Sequence, residues 1–193
     1  MTLRWKLRTW TSLLALAAGG CGFPLHATTL LRLNLDQLAS AADAVARVRC
    51  TGTTSYIDQG NVWTRTQFTV LEPLKGSLPS QIDVRLPGGR SGHLIVSIEA
   101  VPRFHAGEEG VLFLESLASG DYTVIGWALG SFRIHRNDRT GEETVTQDSS
   151  ALPVFDPASR RFVTEGIRQL PLSEFRRRLA TALRATTRGG SKR

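Results

Sequence analysis

Apolar residues in this chain recur at every second position in short runs, and that period commits most of it to β-sheet. Gln81-Ile82-Asp83-Val84-Arg85-Leu86 alternates strictly, as a half-buried strand does. Ala44, Ala46, Val48 and Cys50 share one face of an earlier strand, and Arg47, Arg49 and Thr51 share the other. After a turn at Asp58-Gln59-Gly60-Asn61, the next strand sets Val62, Phe68 and Val70 on one face with Thr64 and Thr66 between them. Val111-Leu112-Phe113-Leu114 is unbroken, the mark of a strand covered on both faces. Tyr122 to Leu129 and Phe132 to Ile134 read as two more strands separated by Gly130. Seven or so short strands with few helices predict a mainly β fold, an antiparallel and partly open barrel or a sandwich.

Two helices complete the expectation. Asn34 to Ala42 places Leu35, Leu38 and Ala42 at helical spacing behind Asn34 or Asp36 as cap. Near the C-terminus, Ser173 is placed to cap a helix whose Phe175, Leu179 and Leu183 form one apolar stripe. Between them, Leu74-Lys75-Gly76-Ser77-Leu78-Pro79 breaks a strand, and Val154 to Val163 reads as a hairpin around Asp156-Pro157.

Residues 1–27 read as a secretory signal. Arg4, Lys6 and Arg8 precede a short, mostly apolar stretch from Thr11 to Gly20, and Leu25-His26-Ala27 offers a small residue at the cut. The expected location is therefore secreted or periplasmic, with cleavage after Ala27. Lipid attachment at Cys21 is the alternative, since Ala18-Gly19-Gly20 precedes it; the usual large aliphatic residue before the cysteine is missing. Domains then follow as 1–27 signal, 28–170 β-barrel with a polar hairpin extension, and 171–193 basic helix and tail. The formal charge of +7 falls to +4 once Arg4, Lys6 and Arg8 are removed. Most of that excess belongs to the tail, where ten basic residues from Arg160 onward face Glu165 and Glu174. Residues 28–159 are net acidic, so a nucleic-acid-binding domain is not indicated.

Chemistry is sparse. Cys50 is left alone after the leader is removed; it cannot form an internal disulfide, and its apolar strand face predicts a buried, inert thiol. His93, His105 and His135 lack zinc-site spacing, although His105 and Glu108 are placed to meet across a turn. Glu108-Glu109 and Glu142-Glu143 should diverge as surface charge. Trp63 and Trp127 are expected to pack in the core. Pro87-Gly88-Gly89-Arg90-Ser91-Gly92 leads into strand-like Leu94 to Ile98 rather than a helix, so it reads as a flexible loop with Arg90 at its tip, not a phosphate cradle. Candidate partner-binding residues are Arg90 and Ser91 on that loop, with Arg177, Arg184 and Arg188 on the polar side of the last helix.

Ala42-Asp43-Ala44-Val45, Phe68-Thr69-Val70 with Leu74-Lys75-Gly76, Ile82-Asp83-Val84, and Phe104-His105-Ala106-Gly107-Glu108 before Val111 to Leu114 follow one another in order. Together they resemble the netrin-type module, the barrel of the tissue inhibitors of metalloproteinases, and exported bacterial proteins of the same look. The resemblance covers roughly Leu35 to Ile134 and implies an OB-like barrel. Members that inhibit proteases chelate zinc through an N-terminal cysteine, whereas the start expected here is Thr28-Thr29-Leu30. The function expected is an exported, non-enzymatic binding or accessory module for another exported protein, monomeric and without a cofactor. The alternative is a metalloprotease inhibitor of the netrin-module kind, and an enzyme using Cys50 comes third. The basic helix adds a weak contact to anionic surfaces.

Overall fold

The computed structural model describes residues 30–189, so the expected signal, Cys21 and the end of the tail lie outside it. A helix α1 (Leu35–Ala41) opens it, capped by Asn34, whose side chain accepts from the Gln37 N–H while Gln37 reaches back to the Asn34 N–H. The chain then enters a hairpin of β1 (Ala44–Asp58) and β2 (Asn61–Lys75), each fifteen residues long. These are not the short strands expected from the sequence. The strong turn signal between them is Gln59-Gly60, both with positive φ, and three register shifts in the β1–β2 pairing curl the ribbon instead of ending it. Lys75 closes the ribbon by donating to the Ala39 and Ala42 carbonyls at the end of α1.

β3 (Gln81–Pro87) joins β2 with its alternation intact, burying Ile82, Val84 and Leu86. A small hairpin follows, β4 (Gly89–Ser91) with β5 (Leu94–Val96), and then β6 (Glu109–Ser116) and β7 (Tyr122–Val124). The ring β1-β2-β3-β7-β6 closes because β6 also pairs with β1. Its one parallel seam, β3 to β7, is a single register pair between Val84 and Tyr122. The result is a five-stranded, OB-like barrel that is only partly closed.

Inside the ring lie Ala46, Val48, Cys50, Phe68, Val84, Leu112 and Leu114, with Phe104 edge-on to Phe68 at 5.0 Å. The opposite faces of β1 and β6 carry Val45, Val111 and Phe113 into a second core. That core is roofed by α1 and α2 (Leu172–Gly189) and continued by β8 (Ser131–Arg136) and β9 (Glu143–Gln147). β10 (Val154–Asp156) and β11 (Arg161–Val163) form the Asp-Pro hairpin, and β12 (Leu170–Pro171) ends the sheet beside β9. Two cores on one strand explain why Val111 to Leu114 is apolar without a break.

Several expectations need correction. Tyr122 to Leu129 is not one strand: β7 stops at Val124, Gly126 turns left-handed, and Trp127–Leu129 forms a 3₁₀ turn. The break is needed because the edge of β6 changes hands at Phe113, pairing with β7 on one side and β8 on the other. Ser173 does not cap α2; the helix begins one residue earlier, at Leu172. Pro87 to Gly92 is not a flexible loop, since Gly88 and Gly89 are buried and Gly89 to Ser91 is paired strand. Arg90 pairs with Ile95 there, so it sits along the hairpin and not at its tip. Trp63 is half-buried on the barrel exterior, where the Arg85 guanidinium lies 4.1 Å from its ring centroid.

Candidate functional site

The extra residue in β1 decides where the site forms. Cys50 pairs with Phe68 and Gly52 with Gln67, which leaves Thr51 as a bulge. Before it, even-numbered residues face the barrel interior; after it, odd-numbered ones do. Thr53 and Ser55 are thereby brought opposite Thr66 and Thr64 of β2. Four hydroxyl side chains line one cleft at the mouth of the barrel, on the face that lower down carries Val48, Cys50 and Phe68.

Two of these hydroxyls hold the adjoining hairpin. The Arg90 N–H donates to Ser55 Oγ, the Ser55 and Thr64 hydroxyls lie 3.0 Å apart, and Thr64 Oγ1 donates to the Gly88 carbonyl. Gly88 and Gly89 take positive φ there, and Gly89 packs directly on both hydroxyls. The other two are uncommitted: no hydrogen bond engages the Thr53 or Thr66 hydroxyl among the described residues, although Thr66 is only 1% exposed. Leu86, Ile98, Val101 and Phe104 supply the apolar walls, and Arg90, Arg103 and His105 supply charge and polarity at the rim. The cleft encloses about 220 Å³, and none of its lining residues is acidic.

Arg133 on β8 fixes the wall that carries Phe104. Its guanidinium donates to Asp148 at 3.0 Å, to Glu108, and to the Arg103 carbonyl at 2.5 Å, and it lies 4.3 Å from the centroid of the Phe104 ring. Glu108 also receives the His105 N–H at 2.9 Å, so His105 and Glu108 do meet across their turn. Glu108 and Glu109 diverge as expected, but they are not idle surface charge. Glu109 pairs with Arg47 at 2.7 Å and with Arg49 at 2.5 Å, and Arg47 bridges on to Glu143 of β9 at 2.9 Å.

Partial burial alone would raise the Glu109 carboxyl, but hydrogen bonds and charge from Arg49 and Arg47 outweigh it and hold it below the ordinary carboxylate range. For Glu108, burial is likewise outweighed by the bonds from His105 and the charge of Arg133. A carboxylate whose folded value is lowered stabilises the fold fully above its unfolded value, about 4.5, and loses that contribution as pH falls through the lowered value. Thermal melts between pH 7 and pH 3 should therefore drop steeply below pH 4.5. Glu109→Gln should lower the midpoint at pH 7 and flatten that slope; an unchanged slope would show that the network carries no pH-linked stability.

The structure separates the residues singled out from the sequence. Arg90 lines the cleft, while Ser91 is half-buried, paired with Leu94, and outside the lining. Arg177 and Arg184 are exposed on α2, which packs against α1, β9 and β12, whereas β4 packs against β1, β2 and β5. The side chain of Arg188 lies outside the described residues. Arg177 and Arg178 pair with Glu174, and Arg176 pairs with Glu72 of β2. Thr64 lies near the start of β2 and Glu72 near its end, so the Arg176 side of α2 is set apart from the cleft. Cys50 is 1% exposed within the barrel, and burial pushes its thiol up, away from the reactive thiolate.

Thr53, Ser55, Thr64, Thr66, Arg103 and Phe104 were not anticipated as a group. The available signal was two threonines set between Val62 and Phe68 on an otherwise apolar inward face. Beside the cleft, β5 presents Leu94, Ile95 and Val96 to solvent, with Ile95 62% exposed. Among the described residues no three His, Cys, Asp or Glu side chains group as a metal site, and no helix is long and apolar enough to cross a membrane. No protein-family model matches the chain, and no curated protein matches it.

Proposed function

We propose that this chain is an exported, non-enzymatic binding module that engages another exported protein through the cleft at the mouth of its barrel. The observation that carries the reading is the combination in one place of an open apolar floor with hydroxyls that make no hydrogen bond and guanidinium groups that meet no carboxylate among the described residues. Below the cleft, the barrel interior is packed mainly with aliphatic and aromatic side chains. Export rests on the basic and then apolar leader of residues 1–27. The five-stranded ring with one parallel seam is consistent with the netrin-type resemblance, and ligand contact at the mouth of a small barrel suits that architecture. Leu94, Ile95 and Val96 beside the cleft extend the contact area with exposed apolar surface.

The test is retention of a partner from the envelope fraction of the source cell by immobilised residues 28–193. Arg90→Glu and Arg103→Glu alter exposed side chains and leave the cores intact. A partner held by the parent chain and lost from either variant supports the reading. Equal recovery from all three would move the binding surface elsewhere, and inhibition across a panel of exported metalloproteases would favour the inhibitor alternative.

A further inference from the structure

The geometry points to a more specific ligand, a peptide that ends in a free carboxylate, bound in extended form with its last residue in the cleft. This inference rests on the binding-module reading and adds the chemistry of the ligand. The guanidinium groups of Arg90 and Arg103 have no carboxylate partner among the described residues, whereas Arg47, Arg49, Arg65, Arg85 and Arg133 on the neighbouring strands are all ion-paired. Arg103 makes one long hydrogen bond, 3.3 Å to Ser97. Two uncompensated cations at the rim of a cleft without acidic residues favour an anion.

Thr66 sharpens the choice. Its hydroxyl lines the cleft, is almost wholly shielded from solvent, and is bonded to nothing within the described residues. A nearly enclosed hydroxyl without a protein partner gains one when an acceptor enters the cleft. Around it the surfaces of Leu86, Val101 and Phe104 are apolar, so the ligand joins an acceptor to a hydrocarbon body. At about 220 Å³ the space is smaller than the usual range for a drug-sized ligand and suits one aliphatic side chain with its carboxylate.

The rest of such a ligand has a place to lie. β5 pairs only with β4 among the described residues, and its three side chains are exposed. An unpaired edge of this kind accepts an added strand through main-chain hydrogen bonds, and the chain leaves β5 directly into Ile98 and Val101 of the cleft wall. The edge holds the extended backbone while the guanidinium groups and the Thr66 hydroxyl take the terminal carboxylate.

Fluorescence polarisation with residues 28–193 tests this, using short fluorescein-labelled peptide pools randomised except for an apolar last residue. One pool is prepared as the free acid and one as the C-terminal amide. A third is an amide pool carrying an internal Asp, which separates terminal from side-chain carboxylates. The acid pool should bind at least about tenfold more tightly than the amide pool, the worth of one charge-assisted hydrogen bond. Arg90→Ala, Arg103→Ala and Thr66→Val should each reduce binding of the acid pool severalfold, with Arg184→Ala unchanged. Melting curves of Arg90→Ala should match the parent, which excludes unfolding as the cause. Equal binding of acid and amide pools overturns the inference, as does a third pool that binds as well as the first. If no pool binds while an envelope partner is still lost through Arg90→Glu, the carboxylate inference falls and the binding-module reading stands. Loss of both removes the cleft from function.

Discussion

Phe175→Ala is expected to destabilise the fold by about 3–5 kcal/mol, the usual loss for truncating a fully packed aromatic residue. Phe175 is 0% exposed on α2, and its ring lies 5.1 Å from that of Phe132, which in turn lies 5.5 Å from Phe113. Three rings thus tie α2 to β8 and to the outer face of β6. Leu172, Leu179 and Ala182 are buried along the same side, and Leu183 is packed against their cluster. Removing the ring empties the centre of the second core, and the sheet beneath is too constrained by its hydrogen bonds to collapse into the gap. Leu179→Ala should cost about 2–5 kcal/mol by the same argument. Arg184→Ala, at an exposed position with no ion pair among the described residues, should shift the melt by no more than about 0.5 kcal/mol. Equal and small shifts in all three would mean that α2 is a free arm and not a roof.

The stripe of Phe175, Leu179 and Leu183 was legible because helical spacing survives docking: the face that must be buried is written at every third or fourth position. The same holds for the alternation in β3 and for the unbroken run in β6, where apolar side chains on both faces record two cores. What could not be read locally was parity after Thr51. One bulged residue reverses which side chains face inward, and nothing about a threonine between Cys50 and Gly52 marks it as unpaired; the partner strand decides. Without that reversal Thr53 and Ser55 read as solvent-facing, and the hydroxyl-lined cleft disappears from view. Arg90 was singled out for a reason the fold does not support. Its exposure comes from a pinned hairpin and not from loop freedom. Arg103 was missed because the segment from Ser97 to Gly107 follows no period; its path is fixed by tertiary contacts, the grip of Arg133, the packed Phe104 ring and backbone bonds to Cys50 and Ala128.

Gly89→Ala should be the most damaging single change at the cleft. Gly89 adopts φ +130, a conformation that residues with a Cβ rarely enter, and that strain alone costs about 1–3 kcal/mol. A Cβ built there would overlap Thr64 Oγ1 and Ser55 Oγ, and overpacking of this kind costs about 1–3 kcal/mol more. These oxygens are interior links in the chain of bonds from the Arg90 N–H to the Gly88 carbonyl, so they cannot move aside without releasing β4. The hairpin should lift from the β1–β2 ribbon, carrying Arg90 and the exposed edge of β5 away from Thr66 and Phe104. The barrel core below does not depend on that hairpin, since its aliphatic contents come from β1, β2, β3, β6 and β7. The expected result is therefore a lower melting midpoint with the β-sheet circular dichroism retained, together with loss of any ligand held by the cleft. Gly92→Ala provides the contrast. Its φ of +59 also carries strain, but nothing lies within 4 Å of an added Cβ, so the penalty should be confined to the turn and binding should persist. Retention of binding by Gly89→Ala would separate the hairpin from the site and leave the cleft walls alone as the recognition surface.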